Sequence, residues 1–158
     1  MKLDESEEGI LPSDKAGFIP FVVENGEVVM MFMKSSDARF GGDKPMIAKG
    51  YVDAGESVYA AAIREAEEEL GLKANNLIED SIMLGWNGSI SGICDSYPMT
   101  IYMGQVKSRT QAEFIKPHYE TESVHWMTFE EYVKNGRLSQ LHIVKECHDK
   151  MIRYHALI

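Results

Sequence analysis

Three glutamates near the middle of the chain have the spacing of a cation-binding cluster. Glu65, Glu68 and Glu69 stand at positions i, i+3 and i+4, which share one face of an α-helix. Three carboxylates this close repel one another unless a cation lies between them. A divalent cation that prefers oxygen ligands removes the repulsion, and Mg²⁺ or Mn²⁺ suits such a set best. The spacing therefore predicts a divalent-metal site on a helix.

The segment that carries these glutamates has the start and stop signals of a helix. Ser57 is a suitable N-cap, and Gly71 stands where a helix would end. The residues between them, 58–70, are rich in helix formers. Apolar residues recur on another face of this segment, and we expect that face to pack against a sheet. They are Val58, Ala62, Ala66 and Leu70.

Further residues keep register with the glutamates on both sides. From Gly50 to Leu72 the sequence reads Gly-x5-Glu-x7-Arg-Glu-Ala-x-Glu-Glu-x-Gly-Leu. A merely acidic, solvated helix would account for the run of glutamates. It gives no reason for the glycines and Glu56 that precede the helix at fixed spacing. The whole pattern resembles the Nudix box, the signature of the Nudix hydrolase family.

The resemblance implies a metal site and a set of candidate bases. Glu65, Glu68 and Glu69 would bind Mg²⁺ or Mn²⁺, together with the backbone carbonyl of Lys49, which precedes the box glycine. A carboxylate would take the proton from the attacking water. Glu65 and Glu68 are candidates for that base, as are three downstream glutamates. These are, in order of preference, Glu120, Glu113 and Glu122.

The remaining box residues are expected to support this site. Gly50 and Gly55 permit a tight loop close to a metal or phosphate. The resemblance implies that Arg64 and Glu56 brace this loop against the helix. We interpret both as structural residues that do not touch the reacting phosphorus.

The substrate is not determined by the sequence. Family members that act on ADP-sugars or dinucleoside polyphosphates tend to carry a proline about sixteen or a tyrosine about eighteen residues after the box, and residues 87–90, Asn-Gly-Ser-Ile, contain neither. Phe40, Trp86 and Tyr97 lie near predicted loop ends and are candidates for stacking on a base. The alternative for each is ordinary packing. ADP-ribose, a dinucleoside polyphosphate, a nucleotide cofactor and a nucleoside triphosphate all stay open.

The order of elements predicts an α/β fold. Strands interleaved with helices indicate a layered sandwich, and the resemblance implies a Nudix-type α/β/α sandwich with a mixed β-sheet between helices. A hairpin turn is expected at Asn25-Gly26, and Thr128 is expected to cap a helix. Strands are predicted at 16–23, 28–33, 46–48, 81–86, 99–106 and 124–127, loops at 35–44, 87–96 and 108–119, and a C-terminal amphipathic helix over 141–152.

The composition of the chain limits its domain organisation, its partners and its location. A chain of 158 residues is expected to form one domain over 15–158, with 1–14 as a flexible N-terminal arm. The net charge of −9 argues against nucleic acid as a partner. No apolar run reaches about 18 residues, and the acidic N-terminus does not resemble a signal peptide. Two cysteines form no disulfide framework, so we expect a cytoplasmic location. We also expect a monomer or homodimer that does not associate with a membrane.

The function expected from these residues is metal-dependent hydrolysis of a pyrophosphate bond. The substrate would be a small nucleotide, a nucleoside diphosphate linked to another moiety. The alternative is a non-catalytic Nudix-fold module that binds a nucleotide as a sensor. Such members usually lose box glutamates, whereas this chain keeps all of them.

Overall fold

One mixed sheet organises the chain. The computed structural model describes residues 13–37, 39, 43–91, 96–110 and 114–154. The strands are β1 (Lys15–Glu24), β2 (Glu27–Ser35), β3 (Ala48–Tyr51), β4 (Met83–Ser91), β5 (Ser96–Gln105) and β6 (Thr121–Thr128). Their order across the sheet is β4-β5-β1-β2-β6, and β3 also pairs with β1. Among these six described strands, only the β1–β5 pairing is parallel, and the other pairings are antiparallel.

Strand β1 is the centre of the sheet. It lies beside β5 along one edge, while its other edge is shared by two strands. Lys15–Phe18 pairs with β3, and Phe21–Glu24 pairs with β2. The β1–β2 turn has positive φ at both central residues, Asn25 and Gly26, as expected for an Asn-Gly hairpin. The predicted hairpin is therefore confirmed.

Helices cover both faces of the sheet, which confirms the predicted α/β/α sandwich. Helix α1 (Val58–Leu70) covers one face, and α2 (Phe129–Asn135) and α3 (Leu141–Tyr154) cover the other. Because strand side chains alternate, Phe18 packs in the α1 layer while Ile19 packs in the layer of α2 and α3. Both are fully buried. No helix in the described ranges is long and apolar enough to cross a membrane.

The helix boundaries follow the sequence closely. Helix α1 has the predicted bounds, and the Ser57 side chain accepts a hydrogen bond from the Ala60 N–H (3.0 Å). Thr128 caps α2 in a capping box with Glu131. The C-terminal helix begins at Leu141 as predicted and runs two residues past the predicted end.

Several predicted boundaries in the sheet are wrong, and β5 and β6 each begin three residues before the predicted start, at Ser96 and Thr121. Asn87–Ser91 was expected in a loop but extends β4. It does so because it pairs with the start of β5, and the Asn87 side chain donates to the Thr100 hydroxyl (2.8 Å). The third strand begins at Ala48 rather than Met46, because its partners on β1 are Lys15–Phe18. The division into an arm at 1–14 and a domain at 15–158 stays a prediction, since 1–12 lie outside the described residues.

Candidate active site

The C-terminal end of α1 is joined to the loop that precedes β6. The last carbonyls of a helix have no partner within it, and this loop supplies several. The His118 N–H donates to the Glu68 carbonyl (2.6 Å), the Thr121 hydroxyl donates to the Glu69 carbonyl (2.8 Å), and the Ile115 N–H donates to the Gly71 carbonyl (2.9 Å). The loop that carries Glu120 is thereby fixed beside the glutamate turn of α1.

Gly71 makes this junction possible. Its φ is 75°, and its N–H donates to the Glu67 carbonyl (3.0 Å). A Cβ at this position would overlap the Ile115 carbonyl oxygen. Glycine is therefore required both by the left-handed conformation and by the close approach of the neighbouring backbone.

We expect Gly71→Ala to lower the free energy of unfolding by about 3 kcal/mol, because strain and overlap act together. Gly26→Ala is the matched control, since Gly26 has φ 77° but open space around its Cα. It should lower the free energy by only about 1 kcal/mol. Urea denaturation of both variants measures the difference, and equal effects would show that contact with Ile115 contributes nothing.

The loop before α1 is held by Arg64. Its guanidinium binds both carboxylate oxygens of Glu56, with Nε–Oε2 at 2.8 Å and Nη2–Oε1 at 3.0 Å. It also donates to the Tyr51 carbonyl (2.9 Å) and to Oε1 of Glu65 (2.9 Å). The Glu56 carboxylate in turn accepts from the Asp53 N–H (3.0 Å). One side chain thus joins the loop, the end of β3 and the predicted metal ligand.

Charge pairing is reflected in the pKa values of this pair. Hydrogen bonds from Arg64 hold the pKa of the Glu56 carboxyl below its usual range. The same bonds raise the pKa of the Arg64 guanidinium. Both groups are therefore ionised at neutral pH.

Gly55, in the loop before α1, has φ 79°, a left-handed conformation that favours glycine.

The three glutamates of α1 lie together but differ in burial. Glu65 is only 7 % exposed, Glu69 is half-buried and Glu68 is exposed. Burial raises the pKa of the Glu65 carboxyl, and the Glu68 and Glu120 carboxylates raise it further. Burial raises the pKa of Glu69 to about 8, with Glu65 and Glu120 adding to the shift. Burial is the main cause of both shifts, and repulsion between neighbouring carboxylates adds to it.

Strand β3 lies against this cluster. The Lys49 N–H donates to Oε1 of Glu69 (2.8 Å). A Cβ on Gly50 would overlap the Glu65 carboxylate, so only glycine leaves room for that side chain. The Lys49 ammonium also faces this region. Its pKa is lowered to about 8, chiefly by burial and also by the charges of Lys15 and Arg137.

The glutamates form part of the wall of a cleft of about 680 Å³, a size that suits a nucleotide. Helix α1, β1, β2, β3 and the loop before β6 all contribute to its lining. The lining residues are Lys15, Met33, Ser35, Ser36, Asp37, Met46, Ile47, Lys49, Gly50, Tyr51, Asp53, Arg64, Glu65, Glu68, Glu69, His118, Tyr119 and Glu120.

The downstream glutamates have different positions. Glu120 lines the cleft, is 61 % exposed at its side chain and lies 3.7 Å from Nδ1 of His118. Glu122 instead forms an ion pair with Lys34 at 2.8 Å. Glu113 lies outside the described residues. Its role as a base therefore stays a prediction, as does that of Glu120.

The aromatic residues predicted to stack on substrate do not line the cleft where they are described. Trp86 packs edge-on against His142 at 5.7 Å in the α3 layer. The Lys15 ammonium lies over the Tyr97 ring, with Nζ 4.6 Å from the ring centroid. Phe40 lies outside the described residues. Their substrate role stays a prediction.

Two tyrosines that sequence reasoning missed do line the cleft. Tyr51 directly follows the box glycine, and Tyr119 directly precedes Glu120. An aromatic residue next to a candidate ligand was the available signal.

Comparison with known sequences agrees with the box. The sequence model of the NUDIX domain family matches residues 14–147. The asymmetrical bis(5'-nucleosyl)-tetraphosphatase of Rattus norvegicus is 25 % identical over 119 residues, which are 75 % of this chain and 77 % of the rat protein. The Mus musculus enzyme of the same name matches with the same identity and coverage.

Solved structures show the same fold. A C. elegans Ap4A hydrolase in a binary complex superposes with a TM-score of 0.72 at 16 % identity, covering 90 % of this chain and 100 % of that protein. The Nudix hydrolase RenU of M. smegmatis gives 0.67 at 14 % identity, covering 88 % of each chain. With the family match extending from β1 into α3 and the glutamates of the box retained, the chain belongs to the NUDIX domain family and is a pyrophosphohydrolase.

Proposed function

We propose that this chain hydrolyses a pyrophosphate bond in a nucleoside diphosphate linked to another moiety, with Mg²⁺ or Mn²⁺ as cofactor. The observation that supports it best is the cluster of Glu65, Glu68 and Glu69 in the wall of a nucleotide-sized cleft. This clustering does not serve to stabilise the fold, because buried carboxylates that repel one another are destabilising. A polyanionic substrate would be repelled as well unless cations intervene.

The residues fit a hard divalent cation by their chemistry. All proposed donors are oxygens, three from carboxylates and one from the Lys49 carbonyl, as Mg²⁺ and Mn²⁺ prefer. In the described part of the chain, no three acidic, histidine or cysteine side chains are already gathered around one point. Glu65 instead contacts Arg64, and Glu69 accepts the Lys49 N–H.

The chemistry that such a cation supplies, when bound, is neutralisation of the diphosphate and a lowered pKa of water. The chain's own groups supply the rest. A carboxylate accepts the proton as the water oxygen bonds to phosphorus and the bridging P–O bond breaks. Glu65, Glu68, Glu120 and Glu113 are the candidates. The ammonium groups of Lys15 and Lys49 face the same cleft and would attract substrate phosphates.

The relatives guide the choice of candidate substrates. The rat protein is named as a bis(5'-nucleosyl)-tetraphosphatase, which favours a dinucleoside polyphosphate. ADP-ribose is the next candidate, because the NUDIX domain of Shewanella oneidensis NrtR has been solved with it and shares the fold. Both compounds contain a nucleoside diphosphate, as the proposal requires.

A substrate panel tests the proposal. Purified protein is incubated with a dinucleoside tetraphosphate, ADP-ribose, a nucleotide cofactor and a nucleoside triphosphate, with Mg²⁺ or Mn²⁺, and the products are separated by chromatography. We expect a nucleoside phosphate product from at least one, with the dinucleoside tetraphosphate turned over fastest. Excess chelator should abolish turnover. The proposal would be refuted by full turnover in excess chelator. It would also be refuted if no substrate were turned over in the presence of metal.

A further inference from the structure

The edge of β3 that faces away from β1 carries the proposed ligand carbonyl. In an antiparallel strand, the N–H and C=O of one residue point to the same side, and successive residues alternate. The Lys49 N–H donates to Oε1 of Glu69 (2.8 Å), and the Ile47 N–H donates to Oε1 of Gln140 (2.9 Å), so both point away from β1. The Lys49 carbonyl therefore lies on the same edge as these two contacts.

The two contacts on this edge differ in kind. Glu69 is itself a proposed ligand, so a cation would compete for the carboxylate that accepts the Lys49 N–H. Gln140 is neutral, is only 1 % exposed and is not a proposed ligand. Its bond to Ile47, two residues before Lys49, is therefore independent of the cation.

Gln140 belongs to a connection that is itself fixed. It ends the short 3₁₀ turn Leu138–Gln140 between α2 and α3, and its N–H donates to the Arg137 carbonyl (3.1 Å). That carbonyl also accepts from the hydroxyl of Tyr132 (3.0 Å), whose side chain is fully buried. The Gln140 amide thus reaches β3 from a fixed base in the layer of α2 and α3.

The segment that leads into β3 is held at further points. The Arg137 N–H donates to the Pro45 carbonyl (2.9 Å), and its guanidinium Nη1 lies 3.6 Å from Sδ of Met46. On the other side, Met46 exchanges two backbone hydrogen bonds with Met33 of β2 (2.8 and 3.0 Å). Residues 45–47 are therefore held between β2 and the α2–α3 connection, directly ahead of β3.

We propose that Gln140 is a positioning residue for the cation, because its bond to the Ile47 N–H fixes the outer edge of β3 and so places the Lys49 carbonyl beside the glutamates of α1. The inference rests on the proposed function, in which Lys49 supplies a ligand oxygen. Gln140 lies outside the box and 93 positions after Ile47. Loss of a group that orients a ligand typically weakens metal binding by about 10–100-fold.

Gln140→Met tests this contact, because methionine has a similar length and volume but its sulfur accepts hydrogen bonds only weakly. We expect Mn²⁺ affinity, titrated without nucleotide, to fall at least about tenfold. Gln140→Glu keeps an acceptor oxygen and should keep Mn²⁺ affinity within about threefold of the wild type. Equal losses in the two folded variants would show that the acceptor oxygen does not matter, and would overturn the proposal.

Ser81→Ala is the matched control for a general loss of stability. The Ser81 side chain is likewise buried and accepts a backbone N–H, that of Gln105 (2.8 Å), but it does not line the cleft. Ser81→Ala and Gln140→Met each leave one backbone N–H without its acceptor, so both should lower the urea midpoint. Only Gln140→Met should weaken Mn²⁺ binding. Equal Mn²⁺ affinity in these two variants would overturn the positioning role.

Amide hydrogen exchange separates failure of this inference from failure of the proposed function, because it needs no metal. We expect the Ile47 and Lys49 amides to exchange about tenfold faster in Gln140→Met than in Ser81→Ala. If the wild type neither binds Mn²⁺ nor hydrolyses any substrate, the proposed function fails, and faster exchange would still show that Gln140 fixes this edge. Unchanged exchange at Lys49, in a protein that does bind Mn²⁺, would overturn the inference alone.

Discussion

Replacing Glu68 or Glu69 by glutamine should lower kcat by at least about a hundredfold, which corresponds to about 3 kcal/mol in the barrier. Glutamine keeps the size and helix propensity of glutamate but removes the negative charge that a divalent cation requires. At position 69, the side-chain oxygen can still accept the Lys49 N–H, which Glu69 accepts at 2.8 Å. The fold should therefore survive while activity is lost.

A neighbouring glutamate provides the matched control for this prediction. Glu67 lies in the same turn of α1, is exposed and does not line the cleft. Glu67→Gln changes the net charge by the same amount, so it should keep the wild-type rate within about twofold. Circular dichroism and thermal melting confirm that all three variants are folded. Near-normal rates in both the Glu68 and Glu69 variants would mean that the cation binds elsewhere.

Replacing Arg64 by lysine should weaken metal binding and turnover together, each by about 10–100-fold. The Arg64 guanidinium contacts Glu56, the Tyr51 carbonyl and Glu65 at once. A lysine ammonium has no planar fork and cannot make the two parallel bonds to the Glu56 carboxylate. The loop before α1 should loosen, and Glu65 and the Lys49 carbonyl should lose their fixed positions.

Substrate contact by Arg64 predicts a different result. In that case metal affinity survives the substitution, and only KM or kcat changes. Glu56→Gln helps to separate the two roles, because it breaks the other side of the pair without touching Glu65. If Arg64 is a brace, Glu56→Gln should also weaken metal binding. Unchanged metal affinity of Arg64→Lys, titrated without substrate, would refute the brace.

Local signals explain why the helix could be predicted from sequence. Ser57 caps the start of α1 and Gly71 caps its end, each through hydrogen bonds to the helix itself. Their residue types therefore predict the helix boundaries. The Asn25-Gly26 turn is equally local. The i, i+3, i+4 spacing of the glutamates then fixes their common face once the helix exists.

Long-range contacts explain what the sequence did not reveal. Asn87–Ser91 has the composition of a loop, but its pairing with β5 makes it a strand, because tertiary contacts override weak local preference. The start of β6 and the loop before it cap α1 from about fifty residues away, through bonds such as that from the Thr121 hydroxyl to the Glu69 carbonyl. Without that contact, neither Tyr119 nor Glu120 can be assigned to the cleft.

Glu68 and Glu69 should help to hold the cation that hydrolysis requires. Titration of the protein with Mn²⁺ in the absence of nucleotide, followed by electron paramagnetic resonance of the free ion, tests it most directly. The wild type and Glu67→Gln should bind Mn²⁺ with the same affinity, and the Glu68→Gln, Glu69→Gln double variant should bind it at least about tenfold more weakly. Equal Mn²⁺ affinity in the wild type and the double variant would show that Glu68 and Glu69 do not hold the cation.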